Sequence, residues 1–261
     1  MAFTVHAVMP GVWHIVDCMG VCMTLLEGEN AAMLVDTGYG IEDVADFMRH
    51  MTDLPLTVFL THNHHDHAMG ARCFPETYML EADMADWRMF TNDEMRRRVL
   101  TQAIGKNLTV DEKTFLAGEI PLPKVMKPGV IDLGGLTAEI IEAPGHTPGS
   151  AVLYVPERKL LLSGDDWNPC TWLFFPQALG LREYRSNMRG IQQLPFEKVL
   201  CPHREALYDR WMFDDFFNAL TDGNLRAAEP VNIAPYEQID TCQATLPHDQ
   251  VFVFDWAKSG L

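Results

Sequence analysis

The chain has 261 residues, 48% of them hydrophobic, and a net charge of −16 with histidine neutral. That is enough apolar material for one large core or two small ones. The acidity repels phosphate backbones and excludes a general nucleic-acid binder, and no run approaches the roughly 18–20 apolar residues a membrane span needs.

The N-terminal stretch from Met1 to His6 has no basic segment and no long apolar run, so no secretory leader is expected. Six cysteines (Cys18, Cys22, Cys73, Cys170, Cys201, Cys242) form no Cys-x-x-Cys pair. They read as reduced thiols packed as small hydrophobes in a cytoplasmic protein. Cys201 is two residues from a histidine of interest below, which makes it a candidate neighbour of a metal.

Residues 12–16, 22–27 and 31–35 are short apolar runs, the last two separated by Gly28-Glu29-Asn30, and read as antiparallel strands. Asp36-Thr37-Gly38-Tyr39-Gly40 closes the third. Asp36 reads as the residue that stabilises this turn, with partnership to a metal-ligating histidine as the alternative. A helix over 41–51 places Val44, Phe47, Met48 and Met51 on one face. Residues 56–60, apolar and partly β-branched after Pro55, form a buried strand.

That strand delivers the densest cluster in the chain, Thr61-His62-Asn63-His64-His65-Asp66-His67. Imidazole nitrogen and carboxylate oxygen are the ligands that Zn²⁺ takes when thiolate is absent. Asp66 is also placed to cap a helix over 68–73. A strand at 77–80 precedes residues 82–124, where Met84, Trp87, Met89, Phe90, Met95 and Val99 lie among charges. They read as two helices ended by Gly118 and by Pro121 and Pro123, with Arg96-Arg97-Arg98 as a solvated face.

Strands are then expected at 130–133, 136–142, 151–155 and 159–163, with a turn at 156–158. Residues 166–180 read as a loop rich in aromatics (Trp167, Trp172, Phe174, Phe175), followed by a helix near 182–193 and a strand at 198–201. A helix near 206–220 carries Phe213, Phe216, Phe217 and Leu220, and 251–254 is strand-like. Two strand-then-helix halves without a linker imply a single domain over 1–261 with a helical insert at 82–124.

Three further donors stand at strand ends. His146 lies in the tight turn Pro144-Gly145-His146-Thr147-Pro148-Gly149-Ser150, Asp165 in Ser163-Gly164-Asp165-Asp166, and His203 in Cys201-Pro202-His203. Asp166 is a candidate partner for a ligating histidine or a helix cap.

Taken in order, His62, His64, Asp66, His67, His146, Asp165 and His203 resemble the His-x-His-x-Asp-His signature and later ligands of the metallo-β-lactamase superfamily. The passages 34–38 and 145–150 resemble its glyoxalase II-like and lactonase-like branches. The resemblance spans roughly residues 12–204 and implies an α+β fold, a four-layer αββα sandwich with the site at one edge of two sheets. It implies that His62, His64 and His146 hold a first metal, that Asp66, His67 and His203 hold a second, and that Asp165 bridges them. His65 fills a variable slot. Aspartate at the bridging position sets the chain apart from β-lactamases with a thiolate ligand. Little chain follows His203 for a glutathione-binding domain, and Asn168 stands where lactonase relatives carry tyrosine.

Two divalent cations, Zn²⁺ first and Fe or Mn as alternatives, sharing one ionised water make a hydrolase. The expected reaction is attack of a metal-bridging hydroxide, oriented by Asp66, on a small ester, thioester, lactone or lactam. A non-haem iron oxidoreductase on the same fold is the alternative. The partner is a small-molecule substrate, with no nucleic acid and no membrane, and residues 82–124 and 166–180 are candidate walls of its pocket.

Overall fold

Alternation along the strands decides the layering. In strand Ala151–Val155, Ala151, Leu153 and Val155 face one way and Val152 and Tyr154 the other, and all five are buried. Strand Leu160–Leu162 repeats the pattern: Leu160 and Leu162 join the first set and Leu161 the second. A strand buried on both faces is an inner layer. The computed structural model, which describes residues 3–261, builds its centre from two such sheets. Met1 and Ala2, the start of the stretch read for a leader, lie outside the described residues.

The first sheet has seven strands in chain order, from Thr4–Met9 to Lys124–Val125. The second has six, in the order Tyr208–Asp209, Lys198–Leu200, Leu160–Leu162, Ala151–Val155, Thr137–Glu142 and Gly129–Asp132. Leu26, Met33, Val35 and Phe59 of the first sheet interdigitate with Ile140, Leu153, Leu160 and Leu162 of the second. Outside the first sheet packs helix Val44–Met51, through Val44, Ala45 and Met48 against Ile15, Leu25 and Leu34. Outside the second pack helices Leu181–Ile191 and Arg210–Ala219, through Tyr184, Met188, Phe213 and Phe216. This is the expected αββα order. Helix Val44–Met51 starts later than predicted because Asp43 caps it by accepting from the Asp46 amide.

The first sheet is antiparallel over its first four strands and parallel from Ala32–Val35 to Lys124–Val125, and the second has one parallel pair. Ala32–Val35 runs parallel to Leu56–Phe59, and Leu160–Leu162 to Lys198–Leu200. Parallel neighbours end at the same edge, so the chain leaves all four strands on one side of the molecule.

Four expectations need correction. The aromatic stretch 166–180 is not all loop: Cys170–Leu173 is a strand, parallel to Gln250–Asp255 in a third sheet completed by Thr241–Leu246 and Glu229–Pro230. The insert holds three helices, Trp87–Thr91, Asp93–Gly105 and Glu112–Phe115. Arg96 is not on a solvated face; its side chain is 2% exposed, unlike that of Arg97 or Arg98. Its guanidinium donates to the Phe115, Ala117 and Gly118 carbonyls and pairs with Asp93, fastening the longest insert helix to the end of the shortest. Finally, Asp66 caps nothing. The helical turn His65–Ala68 begins after His64, and Asp66 lies inside it, which frees its carboxylate for the site.

Candidate metal centre

The structure brings all seven predicted donors together at the common edge. Three groups have ligand atoms within 4.8 Å of one another: His62, His64 and His146; His62, His67 and Asp165; Asp66, His67 and His203. Asp165 touches both ends of the cluster. Its Oδ2 is 3.5 Å from His146 Nε2 and 3.1 Å from His203 Nε2, and its Oδ1 is 3.4 Å from His67 Nε2. Cys201 is buried and belongs to none of the groups.

Three of the imidazoles are fixed from behind. His67 Nδ1 donates to Asp36 Oδ2 at 3.0 Å. The Thr61 hydroxyl donates to the same carboxylate, which leaves its oxygen to accept from His62 Nδ1 at 3.1 Å. His146 Nδ1 donates to the Trp172 carbonyl at 2.7 Å. In the neutral form of each ring the hydrogen sits on Nδ1 and the Nε2 lone pair points into the cluster. Asp36 is therefore the partner of a clustered histidine, and the turn-only role favoured from sequence is corrected. Its φ of 64°, left-handed and tolerated by aspartate, aims the carboxylate back under the histidine loop. Asp166 is neither a histidine-ring partner nor a cap; its Oδ1 accepts from the His146 backbone amide at 3.0 Å.

Two further contacts lay beyond sequence reasoning. Asp83, buried in the insert, accepts from the Asn63 amide (3.0 Å), the Thr147 hydroxyl (2.8 Å) and the Gly149 amide (2.6 Å). It ties the histidine loop to the His146 turn. A Cβ at Gly149 would lie 2.7 Å from the Asp83 carboxylate, so only glycine allows this approach. The other is buried His14, which donates from Nε2 to the Arg204 carbonyl at 3.0 Å. With the Cys22 amide on the Pro202 carbonyl, it pins the chain on both sides of His203.

The electrostatics divide the cluster in two. Burial, reinforced by neighbouring imidazoles, holds His62 and His64 well below the usual histidine range, and burial lowers His146. These three are neutral. At the other end, burial opposes ionisation of Asp66, but His67, His65 and His203 outweigh it and the carboxyl falls to about 2. Asp165 is likewise held well below its ordinary value by His203 and His67 despite burial. His67 rises against its burial because Asp165, Asp66 and Asp36 surround it, and Asp165 raises His203 against its burial too. Paired carboxylates here draw positive charge to their midpoint. His62 Nε2, His67 Nε2 and Asp165 Oδ1 are buried and have no hydrogen-bond partner. Orphaned buried donors of nitrogen and oxygen type are what a divalent cation of zinc's class satisfies, so the residues fit such a group.

A cavity of about 410 Å³ opens from the cluster. Phe90, Met95 and Val99 of the insert and Trp172, Phe175 and Tyr236 give it apolar walls, and Arg98 and Arg204 stand at it. Both candidate wall segments from the sequence, 82–124 and 166–180, contribute. Among the described residues no helix is long and apolar enough to cross a membrane.

The sequence model of the metallo-beta-lactamase superfamily matches residues 16–203, and the chain belongs to that family, a family of hydrolytic enzymes. Among curated proteins it is 27% identical over 202 residues to the acyl-coenzyme A thioesterase MBLAC2 of Gallus gallus, covering 69% of this chain and 70% of that one. It is 24% identical over 173 residues to a linear primary-alkylsulfatase of Pseudomonas, covering 54% of this chain and only 32% of the relative. Among solved structures, a metallo-beta-lactamase from Pontibacter korlensis superposes with a TM-score of 0.60 at 17% identity, over 85% of this chain and all of that one. A protein crystallised in a di-iron-bound form superposes with a TM-score of 0.54 at 20% identity, over 76% of this chain and 94% of that one. These superpositions share the fold.

Proposed function

We propose that the chain is a dinuclear zinc hydrolase of acyl thioesters, with coenzyme A as the leaving group. His62, His64 and His146 would hold one cation and Asp66, His67 and His203 the other, with Asp165 between the two groups. The observation that carries the reading is the convergence of the imidazole and carboxylate atoms on one place, with His62, His67 and His146 each fixed by a hydrogen bond behind the ring. When bound, two cations there would supply a water ionised near neutral pH and an electrophile for the scissile carbonyl. Asp66, ionised at the mouth, orients the nucleophile and can take its proton. The apolar walls exclude bulk water from the acyl group. Arg98 and Arg204 present guanidinium charge to a phosphate-bearing leaving group on an otherwise acidic protein. The similarity to an acyl-coenzyme A thioesterase supports this substrate, and the alkylsulfatase shares the pairing of an apolar chain with an anionic group. The whole chain acts as one domain, and its six unpaired cysteines suit the reducing cytoplasm.

A second reading, non-haem iron chemistry, is favoured by the di-iron neighbour alone. Elemental analysis of protein purified without chelator separates the two. Zinc near two per chain supports hydrolysis, and iron with visible absorbance supports redox chemistry. Turnover is then compared for acyl-coenzyme A, acyl N-acetylcysteamine, a lactone, a chromogenic cephalosporin and an alkyl sulfate. Highest kcat/KM on the coenzyme A ester is expected; hydrolysis of the others without any thioester would overturn the assignment.

A further inference from the structure

We infer that Gln177 sets the tautomer of His64 by offering its amide oxygen to Nε2, a positioning role in the proposed metal centre. The inference rests on the ligand set proposed above and concerns the one imidazole of its first group that turns a different nitrogen inward. His146 Nδ1 is hydrogen-bonded to a carbonyl, so its Nε2 carries a lone pair. His64 meets that lone pair with Nδ1, not Nε2, at 2.9 Å. For both atoms to hold one cation, His64 Nδ1 must also present a lone pair, and its hydrogen must move to Nε2.

The group against His64 Nε2 is the side-chain amide of half-buried Gln177, 2.6 Å away. As the amide is oriented, its nitrogen faces the ring and its oxygen is buried without a partner. A half-turn about the last side-chain bond exchanges the two. The oxygen then accepts from His64 Nε2, the orphan is satisfied, and Nδ1 is left as an acceptor facing His146 Nε2. The opposite orientation suits the cation-free protein, in which His64 Nδ1 donates to His146 Nε2 and the amide nitrogen donates to His64 Nε2. One side chain serves both states because an amide carries a donor and an acceptor at one position.

The fold invests in holding this amide. Lys258 Nζ donates to the carbonyls of Phe175 (3.1 Å), Pro176 (2.7 Å) and Ala178 (2.9 Å), enclosing the peptide on both sides of Gln177. The Leu179 amide donates to the Gly145 carbonyl at 2.9 Å, joining the same loop to the turn that carries His146. Gln177 is thus fixed relative to both His64 and His146 by contacts from the far end of the chain.

The test is zinc titration of the metal-free protein against a chromogenic chelator, for wild type, Gln177→Leu and Gln177→Glu, with long-range ¹H–¹⁵N spectra of the histidines. Leucine keeps the volume and removes the acceptor; glutamate keeps an acceptor. Expected is a loss of about 10–100-fold in affinity for one of two zinc ions in Q177L, with the other little changed, and retention in Q177E. In zinc-loaded wild type, His64 should carry its hydrogen on Nε2, slow to exchange, and that protection should vanish in Q177L. A folded Q177L that binds both zinc ions within about twofold of wild type overturns the inference and leaves the ligand set standing. A wild type that takes up no zinc overturns both. Should Q177L fail to fold, Lys258→Met, which frees the loop from outside the site, carries the same expectation for the same zinc ion.

Discussion

Asp36→Asn isolates what one carboxylate behind the site contributes. Asp36 accepts from His67 Nδ1 (3.0 Å), from the Thr61 amide (2.7 Å) and from the Thr61 hydroxyl, whose oxygen in turn holds His62. Asparagine tolerates the left-handed backbone at this position, so the substitution adds little strain. Its single acceptor oxygen can serve Thr61 or His67 but not both. If it serves Thr61, the amide NH₂ faces His67 Nδ1 and drives that hydrogen to Nε2, the atom aimed at Asp66 and Asp165. The loss is one hydrogen bond to a charged group, about 1.5–3 kcal/mol. At about 1.4 kcal/mol per tenfold, zinc should bind roughly 10–100-fold more weakly at the position His67 serves, and only a few-fold more weakly at the other. Competition with a chelator reads both affinities, and circular dichroism confirms the fold. Two zinc affinities within twofold of wild type would refute the idea that Asp36 orients His67.

Three other substitutions test separate parts of the structure. Burial pushes Asp83 up to about 6 from 3.8, against the hydrogen bonds it accepts. Because the folded carboxyl holds its proton more tightly than the unfolded one, the cost of ionising it is absent below about pH 4 and complete above about pH 6, up to about 3 kcal/mol. Urea unfolding of Asp83→Asn should therefore gain on wild type by that order between pH 4 and pH 7; a stability difference that is flat with pH counts against it. Arg96→Leu leaves three insert carbonyls without their donor and should cost about 2–5 kcal/mol locally. Limited proteolysis should then cut within 106–118 and KM should rise while zinc content holds. Trp172→Ala removes a cavity wall but keeps the backbone carbonyl that holds His146. Acyl-chain preference should shift at constant metal content, and an unaltered chain-length profile would argue that Trp172 only packs.

What could be read in advance follows from how information is spread along the chain. The 62–67 cluster announces itself because its donors are adjacent, and His146, Asp165 and His203 because each follows an apolar run with glycine or proline beside it. Asp36 was legible as a candidate partner of a ligating histidine, but the turn role was favoured over it. Its partners, Thr61 and His67, lie just beyond the neighbouring parallel strand, and strand adjacency is not written in periodicity. Arg96 misleads for a related reason: a run of three arginines looks solvated, and the carbonyls that bind the first lie at the end of a short helix and in the turn after it. The third sheet escaped notice because Cys170–Leu173 is short and crowded by aromatics, and its partner strand arrives near the C-terminus. Gln177 and Asp83 carry no local signal at all; only the folded chain places them.

The parallel pairing of Ala32–Val35 with Leu56–Phe59 and of Leu160–Leu162 with Lys198–Leu200 has a consequence for assembly. Hairpins form locally, but a parallel neighbour must wait for a long crossover to close. The 62–67 loop and His203 thus meet only after both crossovers are made and the two sheets are face to face. On the ligand set proposed above, cation uptake would certify a finished molecule: a population trapped with either crossover undone would lack a donor and stay empty. By mass action bound ions would withdraw native protein from that equilibrium, so distant core defects should surface first as incomplete metal loading.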